Sequence, residues 1–550
     1  MTPTSSPTRN QRDDKKKTQT PGFLGMVEKV GNTLPDPFWL FVILAGFTAI
    51  ASWIGSSIGM KATDPQSGED IVVTNLLTTE GISKMVTEAV TNFTEFPPLG
   101  VILAVMLGVA VAEQSGMLAA LVRAMVAKVS PGVLTFAVAL AGVTGSVASD
   151  AIYVILIPLG AMAFHALGRS PIVGAMVAFA ASSAGFNASL IINITDLLLA
   201  GISTPAAQMV SPEYEVSPLA NIYFVIPSAV VLSLIITAVT ELFIKDKARQ
   251  IVDHDEINYE EVKFNNATND GDSSDSSDSS DSDNNGNKDE QDALSLSPVE
   301  FKGLISSGIA AVLFLAGYFA LLFVPGSPLA GEGGEPMESP LIKSIAVPIA
   351  LMFFVVGLVY GLVTKSIDSA SDVPAFMGKG LTSLIPMIVL FFAVSQFLAW
   401  FKWSNLGPWT AIKGAELLQS WNLPPLLMFG AFVILVAGLN IFITSGSAQW
   451  ALMAPVVVPM MMYVGVSPEV TQMLFRIGDS PTNIITPMSP YFALALTFLQ
   501  RYYKPSGVGT LMSLALPYSV AMIVGWFVFF VIWYLIGIPL GPGSPMTFPA

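Results

Sequence analysis

Residues 439–490 read LNIFITSGSAQWALMAPVVVPMMMYVGVSPEVTQMLFRIGDSPTNIITPMSP. The stretch is apolar enough to lie in a membrane, yet it is broken twice. The first break is residues 444–450 (TSGSAQW); the second is residues 476–483 (RIGDSPTN), with ITPMSP following at 485–490. Backbone freed from helical hydrogen bonding is tolerated at membrane depth only where it packs in protein or lines a cavity. Discontinuous helices of this kind form the substrate sites of secondary transporters.

The rest of the chain agrees with a membrane setting. Of 550 residues, 53% are hydrophobic and 12% charged, about half the charge of an ordinary soluble protein, roughly 25%. Residues 39–54 and 520–538 are apolar runs near bilayer length, about 20 residues. The alternating pattern of an outer-membrane barrel is absent, so the expected fold class is all-α polytopic. There is no cysteine, which excludes disulfides, thiolate metal sites and cysteine nucleophiles.

The net charge of −15 is largely local. Residues 253–292 hold an Asp/Ser/Asn/Glu run that cannot bury a core, and 245–298 reads as a disordered, acidic cytoplasmic linker. A Ca²⁺-binding acidic loop is the alternative, and EF-hand spacing does not fit it. Residues 1–23 read as a disordered cytoplasmic tail whose basic residues set the N-terminus inside, with no removable signal. Nucleic acid is not an expected partner, because basic residues are few and flank membrane segments.

Apolar runs and basic flanks predict nine crossings: residues 38–58, 97–113, 172–199, 222–244, 301–324, 342–363, 385–401, 470–499 and 516–538. Two further segments, 131–168 and 426–465, read as re-entrant hairpins, since their arms of about 13–16 residues are short for a full crossing. The membrane halves are then residues 24–244 and 299–550, with the C-terminus outside. Lys402 and Lys413 fall outside in this scheme, against the positive-inside rule.

The two halves repeat one order. Thr144-Gly145-Ser146 matches Ser445-Gly446-Ser447; Ser170-Pro171 matches Ser467-Pro468; and the break at 182–187 (SSAGFN) matches that at 479–483 (DSPTN). One hairpin enters from inside and the other from outside, the sign of an inverted repeat with a site at mid-membrane between the tips.

Charge inside these segments is scarce, the clear cases being Asp150, Asp196, Arg476 and Asp479, each costing about 2.5–3.5 kcal/mol at a helix centre. Arg476 and Asp479 are three apart and share a helical face, which allows an internal ion pair. The functional alternative has Arg476 binding a substrate carboxylate and Asp479 coupling a proton or Na⁺. Asp196 ends a polar patch and reads as a second coupling group, or as a cap or polar interhelical contact; Asp150 reads as a cap. Ser445, Gly446 and Ser447 offer hydroxyls and a helix end to a ligand, or simply turn chemistry and close packing. Asn187 and Asn483 suit Na⁺ or interhelical hydrogen bonds, and the Na⁺ site would also include Asp196. Trp450 is expected to stack on an aromatic substrate or to be plain core. His165 reads as an interface anchor. No phosphate loop supports ATP drive, and no cofactor or enzymatic motif is present.

The stretches GVTGSVASDAIYVILIPLGAMAF, NASLIINITDLLLAG and SGSAQWALMAPVVVPM with FRIGDSPTNIITPMSPYF resemble the AbgT family, named for p-aminobenzoyl-glutamate transport. The resemblance runs from about residue 24 to the C-terminus, the acidic run excepted. It implies an inner-membrane homodimer of elevator-type architecture, with nine spanning helices and two hairpins per protomer. It places important positions on Asp196, Ser447, Trp450, Pro468, Arg476, Asp479 and Pro487. It also implies carriage of an anionic aromatic folate catabolite or proton- or Na⁺-linked export of sulfonamide antimetabolites. The competing reading is a Na⁺-coupled dicarboxylate carrier of related architecture, whose paired Ser-Asn-Thr hairpin signatures are missing.

Overall fold

The computed structural model describes residues 35–65, 68–126, 129–148, 151–252, 256–259, 296–324, 326–331 and 339–549. The N-terminal tail, Asp150, the acidic run and the GEGGEP segment at 331–336 lie wholly or mostly outside these residues.

Most of the described chain is helical, as its apolar runs require. Among the described residues six helices are long and apolar enough to cross a membrane: Pro37–Ser57, Ile222–Ile251, Pro298–Phe323, Ala346–Thr364, Ile385–Trp403 and Val508–Ile536. A seventh candidate is the pair Leu99–Gln114 and Met117–Val126, bent by 60° at Gly116, whose φ of +86° suits glycine. The ends of these helices are written in the sequence. Asp36 accepts the Phe38 N–H just before Pro37, and Ser297 with Glu300 forms a capping box.

The outer helix Pro298–Phe323 leaves Leu313 and Phe323 more than 60% exposed. In water that apolar surface would drive association; against lipid tails it is the natural outer face. It rests on Ala346–Thr364, which in turn packs backbone to backbone on Pro97–Gln114. A methyl at Gly108 would fall 1.9 Å from the Ala350 carbonyl, and one at Gly357 would fall 2.5 Å from Ala112. Small residues permit such close approach where lipid supplies no hydrophobic drive.

The centre of the molecule is built differently. The arms Leu134–Thr144 and Ala151–Ala166 are joined through a 3₁₀ turn at Gly145–Ala148; Pro425–Asn440 and Gly446–Tyr463 form the corresponding pair. Behind each pair lies a broken helix. The first runs Pro171–Phe179, loosens into a π-turn at Ala180–Ala184, leaves helical geometry, and resumes at Ile194–Ala207. The second runs Pro468–Asp479, tightens into a 3₁₀ turn at Ser480–Ile485, and resumes at Pro490–Tyr502. The first resumption extends to Ala207, past residue 199 where the crossing is expected to end. All twelve residues of Pro468–Asp479 are buried, Arg476 and Asp479 among them. The sequence put the polar groups here, and packing has removed them from lipid.

Candidate functional site

Both breaks meet at one cavity of about 390 Å³. Ser146 of the first hairpin tip and Ser445, Gly446 and Ser447 of the second line it, with Asn187, Asp479 and Asn483 from the broken helices. Its apolar wall includes Tyr153, Phe186 and Tyr491. Tyr153 and Tyr491 stack at 3.9 Å between centroids, with planes 10° apart.

The second tip is held by its own cap. The Ser445 side chain accepts from the Ala448 N–H, and Ser445 and Ser447 hydroxyls lie 3.4 Å apart. Helix Gly446–Tyr463 therefore points its N-terminus, the positive end of its dipole, at the cavity. Gly446 is needed for contact: a methyl there would lie 2.8 Å from Asp479 Oδ2.

Asp479 is fully buried. Its Oδ2 accepts from Asn187 Nδ2 at 2.9 Å, across the two halves of the chain. The Asn187 N–H donates to Ser480 Oγ, while Asn440 Nδ2 holds the Asp479 carbonyl at 2.6 Å. Asp479 Oδ1 and Asn187 Oδ1 remain without a hydrogen-bond partner, as does Asn440 Oδ1. Buried polar atoms are nearly always satisfied, so adjacent orphaned oxygens call for an explanation.

The expected Arg476–Asp479 ion pair is not what forms. Arg476 Nη1 instead meets Asp196 Oδ1 at 2.6 Å, with both side chains at most 4% exposed. The same nitrogen donates to the Asn187 carbonyl at 3.4 Å. Asp196 Oδ2 takes the Asn193 N–H, closing a capping box at Ile194–Ala207. The spacing argument failed because the opposite break brings a carboxylate closer than one turn of the same helix does. Both Asp196 oxygens are thus occupied and neither Asp196 nor Arg476 lines the cavity. In this arrangement the Asp196 carboxylate and the Arg476 guanidinium serve each other.

Trp450 fits the plain-core alternative. It is completely buried, donates its indole N–H to Ser203 Oγ at 3.0 Å, and tilts against Phe475. It stacks on protein, and the cavity's rings are Tyr153, Phe186 and Tyr491. These tyrosines carry no sequence signal beyond lying in the arms that follow the two breaks. Pro468 is the first residue of its helix, well before the break, and Pro487 sits in the turn before Pro490–Tyr502. His165 stacks on Tyr259 away from the cavity. Among the described residues no group of three or more His, Cys, Asp or Glu could hold a metal ion. A site for a hard cation would rest on Asp479 and amide oxygens.

The chain matches the AbgT transporter family over residues 22–272 and 277–548. It is 36% identical to the p-aminobenzoyl-glutamate transport protein of Escherichia coli (strain K12), over 96% of this chain and 97% of that one. Its fold is similar to the Alcanivorax borkumensis YdaH transporter (TM-score 0.81, 36% identity, 92% of this chain and 100% of that chain). It is similar also to Neisseria gonorrhoeae MtrF, described with a class of antimetabolite efflux pumps (TM-score 0.83, 38% identity, 95% and 100%). The two broken helices facing one cavity and these full-length likenesses agree: the chain belongs to the AbgT family, a helical multi-pass membrane transporter and not an enzyme.

Proposed function

We propose that this chain is a secondary active transporter that carries p-aminobenzoyl-glutamate-like anions, or exports sulfonamide-type antimetabolites, with a proton or Na⁺ as the coupling ion. The observation that carries the reading is the pair of orphaned oxygens, Asp479 Oδ1 and Asn187 Oδ1, beside the cavity. A bound cation would supply the positive charge that Asp479 lacks, Arg476 being committed to Asp196.

The same geometry suggests how cation and anion are coupled. The N-terminus of Gly446–Tyr463 suits a substrate carboxylate, and Asp479 already lies against it. Two like charges about 5 Å apart at an effective dielectric near 20 repel by about 3 kcal/mol. Neutralising Asp479 would therefore strengthen anion binding by about a hundredfold. Tyr491, Tyr153 and Phe186 offer faces to an aryl ring, which favours an aromatic anion over a simple dicarboxylate.

The reading includes nine crossings, two re-entrant hairpins in inverted repeat, an elevator-like movement and a homodimer in the inner membrane. Support comes from the two tips sharing one cavity and from arms of only 11–18 residues. The bare apolar face of Pro298–Phe323 suits lipid or a second copy. The test is flux of labelled p-aminobenzoyl-glutamate and of a sulfonamide in proteoliposomes under imposed proton and Na⁺ gradients. Flux should follow one gradient in the wild type and lose that dependence in Asp479→Asn. Gradient-independent flux, or a variant equal to wild type, defeats the proposal.

A further inference from the structure

Glu469 is a buried acid that the coupling scheme above does not use. It stands in the first turn of Pro468–Asp479 and is 3% exposed. Its two carboxylate oxygens accept from the Tyr214 hydroxyl at 3.1 and 3.0 Å, and its own backbone N–H and the Ser467 hydroxyl also hydrogen-bond it. A buried carboxylate normally has a cation beside it, and among the described residues Glu469 has hydrogen-bond donors but no Lys, Arg or His partner.

The surroundings make the point quantitative. The helix packs against Ile194–Ala207, Pro425–Asn440, Gly446–Tyr463 and Val508–Ile536. Of these only the first carries an Asp, Glu, Lys, Arg or His, namely Asp196 at its far end, already paired with Arg476. The remaining titratable groups on them are the phenols Tyr463, Tyr518 and Tyr534. Residues 208–221, which bring Tyr214, add only the exposed Glu213 and Glu215, and residues 537–549, which bring Phe548 against Tyr214, add no charge.

Tyrosine is also a chemically telling partner. It donates to a carboxylate, and by rotating its hydroxyl it accepts from a carboxylic acid. Lysine or arginine could serve only the anion. Burial, and after it the Glu469 charge, pushes the Tyr214 phenol up, so this hydroxyl keeps its proton throughout the working range. Both protonation states of Glu469 thus have a hydrogen bond in the same place.

Glu469 is not isolated from the cavity. Glu469, Gln472, Arg476 and Asp479 follow each other at spacings of three, four and three along one face of a wholly buried helix. Gln472 bonds Ser203 and Asn221, Arg476 bonds Asp196, and Asp479 bonds Asn187. Ten residues of helix separate the two acids, about 15 Å. One acid faces the cavity and the other lies under residues 208–221 and the C-terminal segment.

We propose that Glu469, held by Tyr214, is a second proton-binding site of the transporter, loaded at the end of the helix remote from the cavity. A proton from water there converts the carboxylate to the acid, and its release restores the carboxylate; no other bond changes. The site takes a proton and not Na⁺, because it offers too few further oxygens to replace a hydration shell. The inference rests on the coupled-transport reading and assigns one station of it.

The experiment is a proteoliposome assay with a pH-sensitive dye inside, on wild type, Glu469→Gln and Tyr214→Phe. It records substrate-driven proton movement, the pH profile of uptake, and gradient-free substrate counterflow. Glu469→Gln should lose proton movement at least tenfold and flatten the pH profile, while counterflow stays within twofold of wild type. Tyr214→Phe removes a donor to the anion and should move the pH midpoint up by about one unit. Wild-type proton movement and pH profile in Glu469→Gln overturn the inference, as does joint loss of counterflow and proton movement in a variant that elutes as folded protein. Wild-type flux driven by Na⁺ without protons also overturns it but leaves coupled transport standing. Absence of any gradient-driven wild-type flux removes both.

Discussion

The ion pair between Asp196 and Arg476 makes the sharpest prediction, because its two halves should fail differently. The atoms are 2.6 Å apart and essentially without solvent. Removing one partner of such a pair costs about 3–5 kcal/mol, mostly for the charge left behind. In Asp196→Ala the stranded guanidinium keeps only the 3.4 Å bond to the Asn187 carbonyl, and its Nε has no partner. Arginine cannot shed its charge. In Arg476→Ala the stranded carboxylate can take up a proton, at a cost that falls by about 1.4 kcal/mol per pH unit toward acid. Both single variants should be strongly destabilised at pH 7.5. Between pH 7.5 and 5.5 Arg476→Ala should regain part of its loss relative to wild type, at most about 2.7 kcal/mol, and Asp196→Ala should regain nothing. The double variant, which strands no charge, should be less damaged than the two losses added together. Detergent-solubilised protein, scored by the fraction eluting as folded after graded heating at each pH, gives the comparison. Additive losses, or equal pH behaviour of the two single variants, would refute the reasoning.

Gly446→Ala should keep the fold and lose cation-dependent flux by tenfold or more, since its methyl would meet Asp479 Oδ2 at 2.8 Å; an unchanged gradient dependence would count against a site at that contact. Trp450→Phe removes the bond to Ser203 and should cost about 1 kcal/mol of stability with KM within twofold, because the ring does not line the cavity; a large KM change alone would contradict this placement. Tyr491→Leu should raise KM for an aryl anion several-fold and spare non-aryl competitors, checked by competition in the flux assay. At the surface, the Lys61 ammonium, and after it the Thr63 hydroxyl, holds the Asp70 carboxyl below its ordinary value. A carboxyl lowered on folding contributes above its unfolded value and ceases to as pH falls through its folded one. Hydrogen exchange in the paired strands Lys61–Thr63 and Asp70–Val72 should therefore be flat from pH 8 to 5 after correction for intrinsic rates, and protection should fall only below about pH 4.

Much of this protein is dictated by local rules. Apolar runs of bilayer length must become helices, since nothing else satisfies a backbone in lipid. Gly, Pro, Ser and Asn at 444–450 and 479–483 mark where those helices stop, and Ser445 and Ser467 do cap the segments that follow. Rare charges at membrane depth single out Asp196, Arg476 and Asp479, because each is too costly to keep without a partner or a use. The sequence therefore named the central residues and their neighbourhood. It could not pair them: which carboxylate meets Arg476 depends on how two segments some 280 residues apart are set against each other. Tertiary packing turned Trp450 toward Ser203 and left the cavity's aromatic faces to Tyr153 and Tyr491. It also buried Glu469 at the start of a helix, where an acid ordinarily reads as an exposed first-turn residue. Propensity and hydropathy act over one or two turns, whereas burial and the partner of a polar atom are properties of the assembled bundle, and the chemistry here follows the second.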